Sequence, residues 1–434
     1  MLPEQFCVRM KEMLGEEYAA FYASYDLPKY QALRINPLKT ERDTFLQQAP
    51  FSLNRVPWTT NGYYYSGNDQ PGRHPYHEAG VYYIQEPSAM APAEYLMAEP
   101  GERILDLCAA PGGKSTQIAC SMQGEGLIVC NEIHPARAKI LSENIERMGV
   151  PNAVVCNETP ARIAAHFGPW FDAVLVDAPC SGEGMFRRDP EAVAQWSAEA
   201  PARCHERQME ILEDAARCLR GGGTLVYSTC TFNRVENEGT IEAFLRRHPE
   251  FSLDPELALP GIPCQGGMAH LYPHQVRGEG HFLARLRKGG EERAELAELP
   301  VDKGEARWEA FARDALREAA PRRLHAQGEW LYAIPEGMPD VRGLNVLRAG
   351  VQLGRLAKGR LEPAHALALS LAPGEAKEER ELSREEALRY LGGEVLEGEM
   401  RGWGVLRYRR CALGWGKGSG GQIKNHYPKG LRWR

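Results

Sequence analysis

Between residues 103 and 288, short runs of apolar and β-branched residues alternate with longer amphipathic stretches, and this alternation limits the possible folds more than any other feature of the chain. Strands are expected at 103–107, 127–131, 153–156, 171–177 and 224–228, with helices at 114–122, 136–148, 202–218 and 235–247. Two further runs, 267–272 and 281–286, read as a hairpin closing one sheet edge. Strands separated by helices imply an α/β fold with a doubly wound, Rossmann-like parallel sheet, whose ligands sit at the carboxyl ends of the strands. The functional residues are therefore sought at those strand tips.

The first tip reads Leu105-Asp106-Leu107-Cys108-Ala109-Ala110-Pro111-Gly112-Gly113-Lys114-Ser115-Thr116, a strand entering a Gly-rich turn and then a helix. Glycine allows close backbone approach to a ligand, and a helix start presents free N–H groups to an anionic group. A phosphate-binding loop would need glycine at position 108, where this chain has Cys108, so that reading fails by one essential residue. A nucleoside cofactor instead calls for an acid at the end of the second strand to hold ribose hydroxyls, and Glu132 stands there. The fourth strand runs into Asp177-Ala178-Pro179-Cys180-Ser181-Gly182, and the fifth into Ser228-Thr229-Cys230-Thr231. In a doubly wound sheet both tips lie beside the first, so Asp177, Cys180 and Cys230 should converge on one cleft. Two cysteines on neighbouring tips read as a nucleophile site. Most of the other cysteines read as small buried hydrophobes, since no C-x-x-C pair suggests zinc or a disulfide framework.

Outside this core, residues 1–97 form a mixed segment whose tyrosines, Tyr63 to Tyr65 with Tyr82 and Tyr83, read as packing. The acidic stretch 289–306 reads as a linker, 307–376 as a helix-rich domain, and 377–434 as a small β-rich one. The formal charge of −6 hides an asymmetry, because residues 401–434 hold nine Lys/Arg and no Asp or Glu. Trp403, Tyr408, Trp415, Tyr427 and Trp433 are interleaved with those cations, a composition that suits phosphate pairing with base stacking, or the filling of a small barrel. There is no apolar run of about 18 residues and no basic or apolar leader at Met1 to Gln5, so a cytoplasmic protein without membrane contact is expected.

The strings 108–114, 177–182 and 228–231 resemble the hallmark motifs of the Sun-type RNA cytosine-5 methyltransferases, and Tyr83 to Ser88 and Gly278 to Phe282 fit the same family. Gly343 to Gly350 and Lys424 to Gly430 resemble its bacterial RsmF-like subgroup, which modifies small-subunit ribosomal RNA. The resemblance implies S-adenosylmethionine as cofactor, held by Cys108, Ala109, Ala110, Pro111, Gly112, Gly113, Lys114, Glu132 and Asp177, and no metal. It implies Cys230 as the nucleophile, Cys180 as an aid to elimination, and Asp177 as partner of cytosine nitrogen 3. A DNA enzyme would use the cysteine of Pro179-Cys180; Thr229-Cys230 favours RNA. Where the family commonly has an adenine-reading Asp this chain has Thr159, which leaves that role open among Asn157, Glu158 and Thr159. A monomer acting on 16S ribosomal RNA within the small subunit is expected, with a PUA-like C-terminal RNA-binding domain. Transfer RNA methylation and ribosome assembly with secondary catalysis are the alternatives.

Overall fold

The computed structural model describes residues 2–255, 258–302, 305–318 and 323–433. Its centre is the expected sheet. Strands β1 (Ala32–Ile35), β2 (Leu53–Arg55), β3 (Gly62–Tyr65) and β4 (Tyr82–Ile84) form a small N-terminal sheet in the order β2-β3-β1-β4. Then β5 (Arg103–Asp106), β6 (Leu127–Asn131), β7 (Ala153–Cys156), β8 (Phe171–Asp177) and β9 (Leu219–Thr229) run parallel, in the order β9-β8-β5-β6-β7. Both faces of this sheet are covered. Leu105, Val129, Val154, Val174 and Leu225 pack on one face, while their neighbours Ile104, Ile128, Val155, Ala173 and Val226 pack on the other. Burial on two faces explains why each strand reads as an unbroken apolar run.

The antiparallel strands β10 (Phe251–Leu253), β11 (Cys264–Gln265), β12 (Met268–Leu271) and β13 (His281–Lys288) complete the sheet beyond β9. Strand β9 begins five residues earlier than expected, because Gly221 to Gly223 reads as a breaker but is strand here. A Cβ on Gly221 would lie 2.4 Å from the Gly290 backbone, so glycine is required by close chain approach. The helix Pro160–Phe167 was not anticipated, although Thr159 caps it and Pro160 opens it.

The stretch 289–302 is a packed strap rather than a free linker. Glu292 accepts the Gly221 N–H, the Ala294 N–H donates to Pro169, and Leu299 is buried. Lys303 and Gly304 lie outside the described residues. The expectation of a helix-rich 307–376 is corrected by β14 (Arg323–Gln327), β15 (Trp330–Ile334), β16 (Val346–Ala349), β17 (Val351–Ala357) and β18 (Arg360–Pro363). Helices there are limited, among the described residues, to Ala306–Ala315 and His365–Ser370. Ala and Leu content favours helix locally, but alternate residues such as Leu331, Ala333, Val351 and Leu353 bury against one another as sheet. Strand β16 leaves this unit to pair with β7, covering what would otherwise be an exposed edge of the central sheet.

The final unit contains β19 (Glu379–Glu381), β20 (Leu396–Glu397), β21 (Gly402–Tyr408), β22 (Cys411–Ser419) and β23 (Gln422–Asn425), in the order β19-β21-β22-β23-β20. Of its interleaved aromatics, Tyr408, Trp415 and Tyr427 fill the core, whereas Trp403 and Trp433 stay half-exposed; Arg434 lies outside the described residues. Trp415 is 1% exposed, and its indole N–H donates to Ala364 at 2.8 Å, joining this unit to the one before it. Trp415→Ala is expected to cost about 3–5 kcal/mol, read as a lowered urea midpoint; a cost below about 1 kcal/mol would contradict this packing.

Candidate active site

The loop after β5 is shaped from behind. Gly112 has φ +110°, which a side chain rarely adopts, and a Cβ there would meet Leu141. Three buttressing side chains take its carbonyls: Arg137 donates to Ala110 (2.8 Å), Asn144 to Pro111 (2.8 Å) and Arg34 to Gly113 (2.8 Å). With the carbonyls turned outward and the helix Gly113–Ser121 beginning here, the first-turn N–H groups are left to face the cleft. Arg34 is fully buried and also holds Thr116 at 2.7 Å and Gln85, tying β1 to the loop.

In front lies a cavity of about 210 Å³, lined by Cys108, Ala109, Ala110, Pro111, Gly113, Lys114 and Asp177 of the expected set, with Asp106, Tyr83 and Glu86. Its fit to a nucleoside cofactor with a charged tail rests on that donor set and on Asp106, whose buried Oδ1 has no partner. Glu132 is at the tip of β6 as expected, buried, but does not line this cavity. It accepts the His134 N–H at 2.9 Å and faces Arg137 at 3.3 Å. The neighbouring β7 loop is held by the β16 segment: Asn345 donates its N–H to Glu158 at 2.9 Å, and Asn157 donates to the carbonyls of Glu132 and Ile133. Thr159 is occupied as the helix cap.

Lys114 crosses the cleft to Asp177 at 2.8 Å, and Ser228 donates to the other oxygen of Asp177 at 2.7 Å. Burial works against ionising either group. The mutual attraction outweighs it, so the Lys114 ammonium is held above its ordinary range and the Asp177 carboxyl, helped by Ser228, below its own. Both stay charged at neutral pH, and Lys114 therefore faces the site carboxylate.

Just beyond the strand tips, the sulfurs of Cys180 and Cys230 lie 3.4 Å apart. The hydrogen bond to Cys230, with burial, pushes the Cys180 thiol well up, so Cys180 stays protonated. Their two loops are laced together by a residue absent from the sequence reading. Buried Glu236 accepts the Ser181 N–H at 2.8 Å and the Ser181 hydroxyl, while Gln208 bridges Glu236 and the Pro179 carbonyl. Ser181 also meets Thr231 at 2.8 Å, and Gly184 donates to the Cys230 carbonyl. A Cβ on Gly184 would sit 2.9 Å from the carbonyls of Cys230 and Gly280.

His281 is a second site residue missing from the expected set. Phe282 pairs with Thr229 in register, so His281 stands across from Cys230 on the next strand. Its Nδ1 lies 3.2 Å from Ser88 Oγ, and burial together with the Lys114 charge pushes it down to about 4, leaving it neutral. Glu86 accepts N–H groups from Ser88, Ala89 and Glu279, which joins the 83–88 and 278–282 strings in one contact. No motif spacing signals Glu236, whereas His281 lies within the Gly278 to Phe282 string that fits the family, where no role attaches to it from sequence alone. The helices Glu4–Leu14 and Tyr18–Ala23 brace this end through Phe6, Met10 and Phe21 on Phe186, Phe232 and Tyr272, and through Arg9 on Glu183 at 2.5 Å.

Comparison with known proteins agrees along the whole chain. The family described as 16S rRNA methyltransferase RsmB/F matches residues 93–287. Three descriptions specific to RsmF match further segments: its N-terminal domain at 2–87, its first C-terminal domain at 310–371 and its PUA domain at 377–433. The ribosomal RNA small subunit methyltransferase F of Vibrio cholerae is 32% identical, covering 99% of this chain and 97% of its own. That of Cronobacter sakazakii is 33% identical over 99% of this chain and 96% of its own. A solved methyltransferase homolog from Pyrococcus horikoshii is 29% identical, with TM-score 0.58, over 66% of this chain and 95% of its own. NSun6 of the same organism, solved with SFG, shares the fold at TM-score 0.60 and 22% identity, over 67% of this chain and 99% of its own. The chain belongs to the RsmB/F family of S-adenosylmethionine-dependent 16S ribosomal RNA cytosine-5 methyltransferases.

Proposed function

We propose that this chain methylates carbon 5 of a cytidine in 16S ribosomal RNA through a covalent adduct on Cys230. The observation that carries the reading is the pair of sulfurs 3.4 Å apart at the tips of neighbouring strands, beside the Lys114–Asp177 pair. S-adenosylmethionine, when bound, supplies an electrophilic methyl group. Cys108 to Lys114, with Asp177, are the residues that would hold it, while Glu132, expected to hold the ribose, stands outside this cavity with His134 and Arg137.

Cytosine carbon 5 is too weakly nucleophilic to accept a methyl group unaided. The Cys230 thiolate adds to carbon 6, forming an S–C bond and moving the 5,6 double-bond electrons to carbon 5, with negative charge spread toward nitrogen 3. Asp177, ionised between Lys114 and Ser228, is an acceptor, so in place of the nitrogen 3 role expected from the sequence it takes a hydrogen bond from the 4-amino group, while the Lys114 charge offsets charge building on the ring. Carbon 5 would then take the methyl group that S-adenosylmethionine supplies, the new C–C bond replacing the methyl–sulfonium bond, whose electron pair stays on sulfur. Loss of the carbon 5 proton to a base returns the electrons to the ring and breaks the C–S bond, expelling the Cys230 thiolate. Protonated Cys180 donates its hydrogen bond to that departing sulfur.

Residues 1–97 act as an accessory RNA-binding region and 377–434 as the main RNA-binding module, and the enzyme works as a cytoplasmic monomer on RNA within the small subunit. No helix among the described residues is long and apolar enough to cross a membrane.

Cys230→Ser is expected to abolish methyl transfer, whereas Cys180→Ser accumulates a denaturant-resistant protein–RNA adduct visible on a denaturing gel; the opposite pattern would overturn the assignment. A second expectation concerns Asp106, whose carboxyl burial pushes up to about 7 against its hydrogen bond from Ser115. Between its ordinary value and 7 the folded chain holds a proton that the unfolded chain has lost, so this group makes stability fall as pH rises. Relative to Asp106→Asn, the wild type should lose about 1.4 kcal/mol per pH unit from pH 5 to pH 7, measured by urea unfolding. Parallel profiles would contradict a protonated Asp106.

A further inference from the structure

Away from the methyl-transfer cleft, a cavity of about 480 Å³ opens where the β14–β18 unit, the β19–β23 unit and the helix Pro135–Arg147 meet. Its size falls within the range of about 300–1,000 Å³ typical of small-ligand sites. Two tryptophans from different sheets line it, Trp330 of β15 and Trp403 of β21, each half-exposed. Lys417 Nζ stands 5.0 Å from the Trp403 ring centre, and His426 meets the same ring edge-on at 4.4 Å.

The charges around it are unevenly committed. Arg355 and Arg360 both hold Glu362, at 2.6 and 2.8 Å, and Glu146 is held by Arg348 from outside the cavity. Each wall acid thus already has a cation. Lys417 has no carboxylate partner among the described residues and rests over the Trp403 ring, so a phosphate can pair with it without displacing an acid. His365, also in the wall, keeps a buried Nδ1 without a partner. Flat aromatic surface with a cation that has no carboxylate partner is the combination that takes an unpaired base together with its phosphate, the base on the ring surface that Lys417 leaves open. The same helix that forms one wall donates Asn144 to Pro111 of the cofactor loop, so the cavity is built onto the scaffold of the active site.

We propose that this junction cavity is a second RNA subsite, taking one unpaired nucleotide of the substrate RNA, its base on the tryptophans and its phosphate on Lys417. The proposal rests on the reading of this chain as an RNA methyltransferase. The intended ligand is part of a polynucleotide, because the cavity opens between two of the modules that accompany the catalytic core.

The test measures binding of a fluorescein-labelled twelve-nucleotide single-stranded RNA to the full chain, its Trp403→Ala variant and its Lys417→Glu variant. Lys417 is partly exposed in the strand pair β21–β22, so the second variant guards against misfolding of the first. Loss of one stacked base corresponds to a weakening of roughly 5- to 150-fold. Trp403→Ala should fall in that range, and Lys417→Glu should weaken binding and reduce the slope of log affinity against log salt by about 1. S-adenosylmethionine binding should be unchanged in both. Wild-type affinity in both variants would overturn the subsite, as would displacement of the oligomer by equimolar cytidine monophosphate or equal loss for a duplex of the same sequence. If the wild-type chain itself bound no RNA while still binding S-adenosylmethionine, the parent reading would fall instead.

Discussion

The Lys114–Asp177 pair, with Ser228 on the second oxygen, is the contact on which the active site depends. It joins three elements that are distant in sequence: the first turn of the helix after β5, the tip of β8 and the tip of β9. A carboxylate so poorly hydrated would otherwise take up a proton, and a lysine at a helix start would oppose the helix dipole. Each group corrects the other's problem. Neutral His281 sits beside the pair, and burial pushes the Asp106 carboxyl in the same cavity wall up to about 7, so in mildly acidic solution the local charge is one cation and one anion.

Around that pair the chain spends its buried polar residues on holding loops. Arg34, Arg137 and Asn144 fix the carbonyls of the Gly-rich turn, and Glu236 laces the Cys180 loop to the Cys230 loop. Such networks are stiff because a buried donor or acceptor left unpaired is costly. The N-terminal helices add apolar bracing through Phe21 and Phe6, so the cysteines rest on a packed base rather than on free loops.

Much of this was legible in the sequence where it follows from local pattern. The strands at 127–131, 153–156 and 171–177 were delimited as observed, because two-sided burial leaves an unmistakable apolar run. Convergence of Asp177, Cys180 and Cys230 followed from strand order alone. What escaped depends on partners far along the chain. Glu236 is an ordinary acid until Ser181 folds onto it, and the pairing of β16 with β7 spans nearly two hundred residues. The sheet at 323–363 was hidden by helix-favouring composition, its turns carried by Gly328, Gly350 and Gly359 at positive φ. Thr159, one of three residues among which the adenine-reading role is open in the sequence, also caps the helix Pro160–Phe167, a local contact legible in its place before Pro160.

The central claim is that Cys230, rather than its neighbour 3.4 Å away, bonds to the cytosine ring. Ribosomal RNA carrying 5-fluorocytidine tests it directly, since fluorine at carbon 5 cannot leave as a proton does and elimination from the adduct is blocked. After incubation with S-adenosylmethionine, protease digestion and mass spectrometry of the trapped complex should find the nucleotide on the peptide containing Cys230. Attachment at Cys180, or transfer without any trapped adduct, would contradict the account.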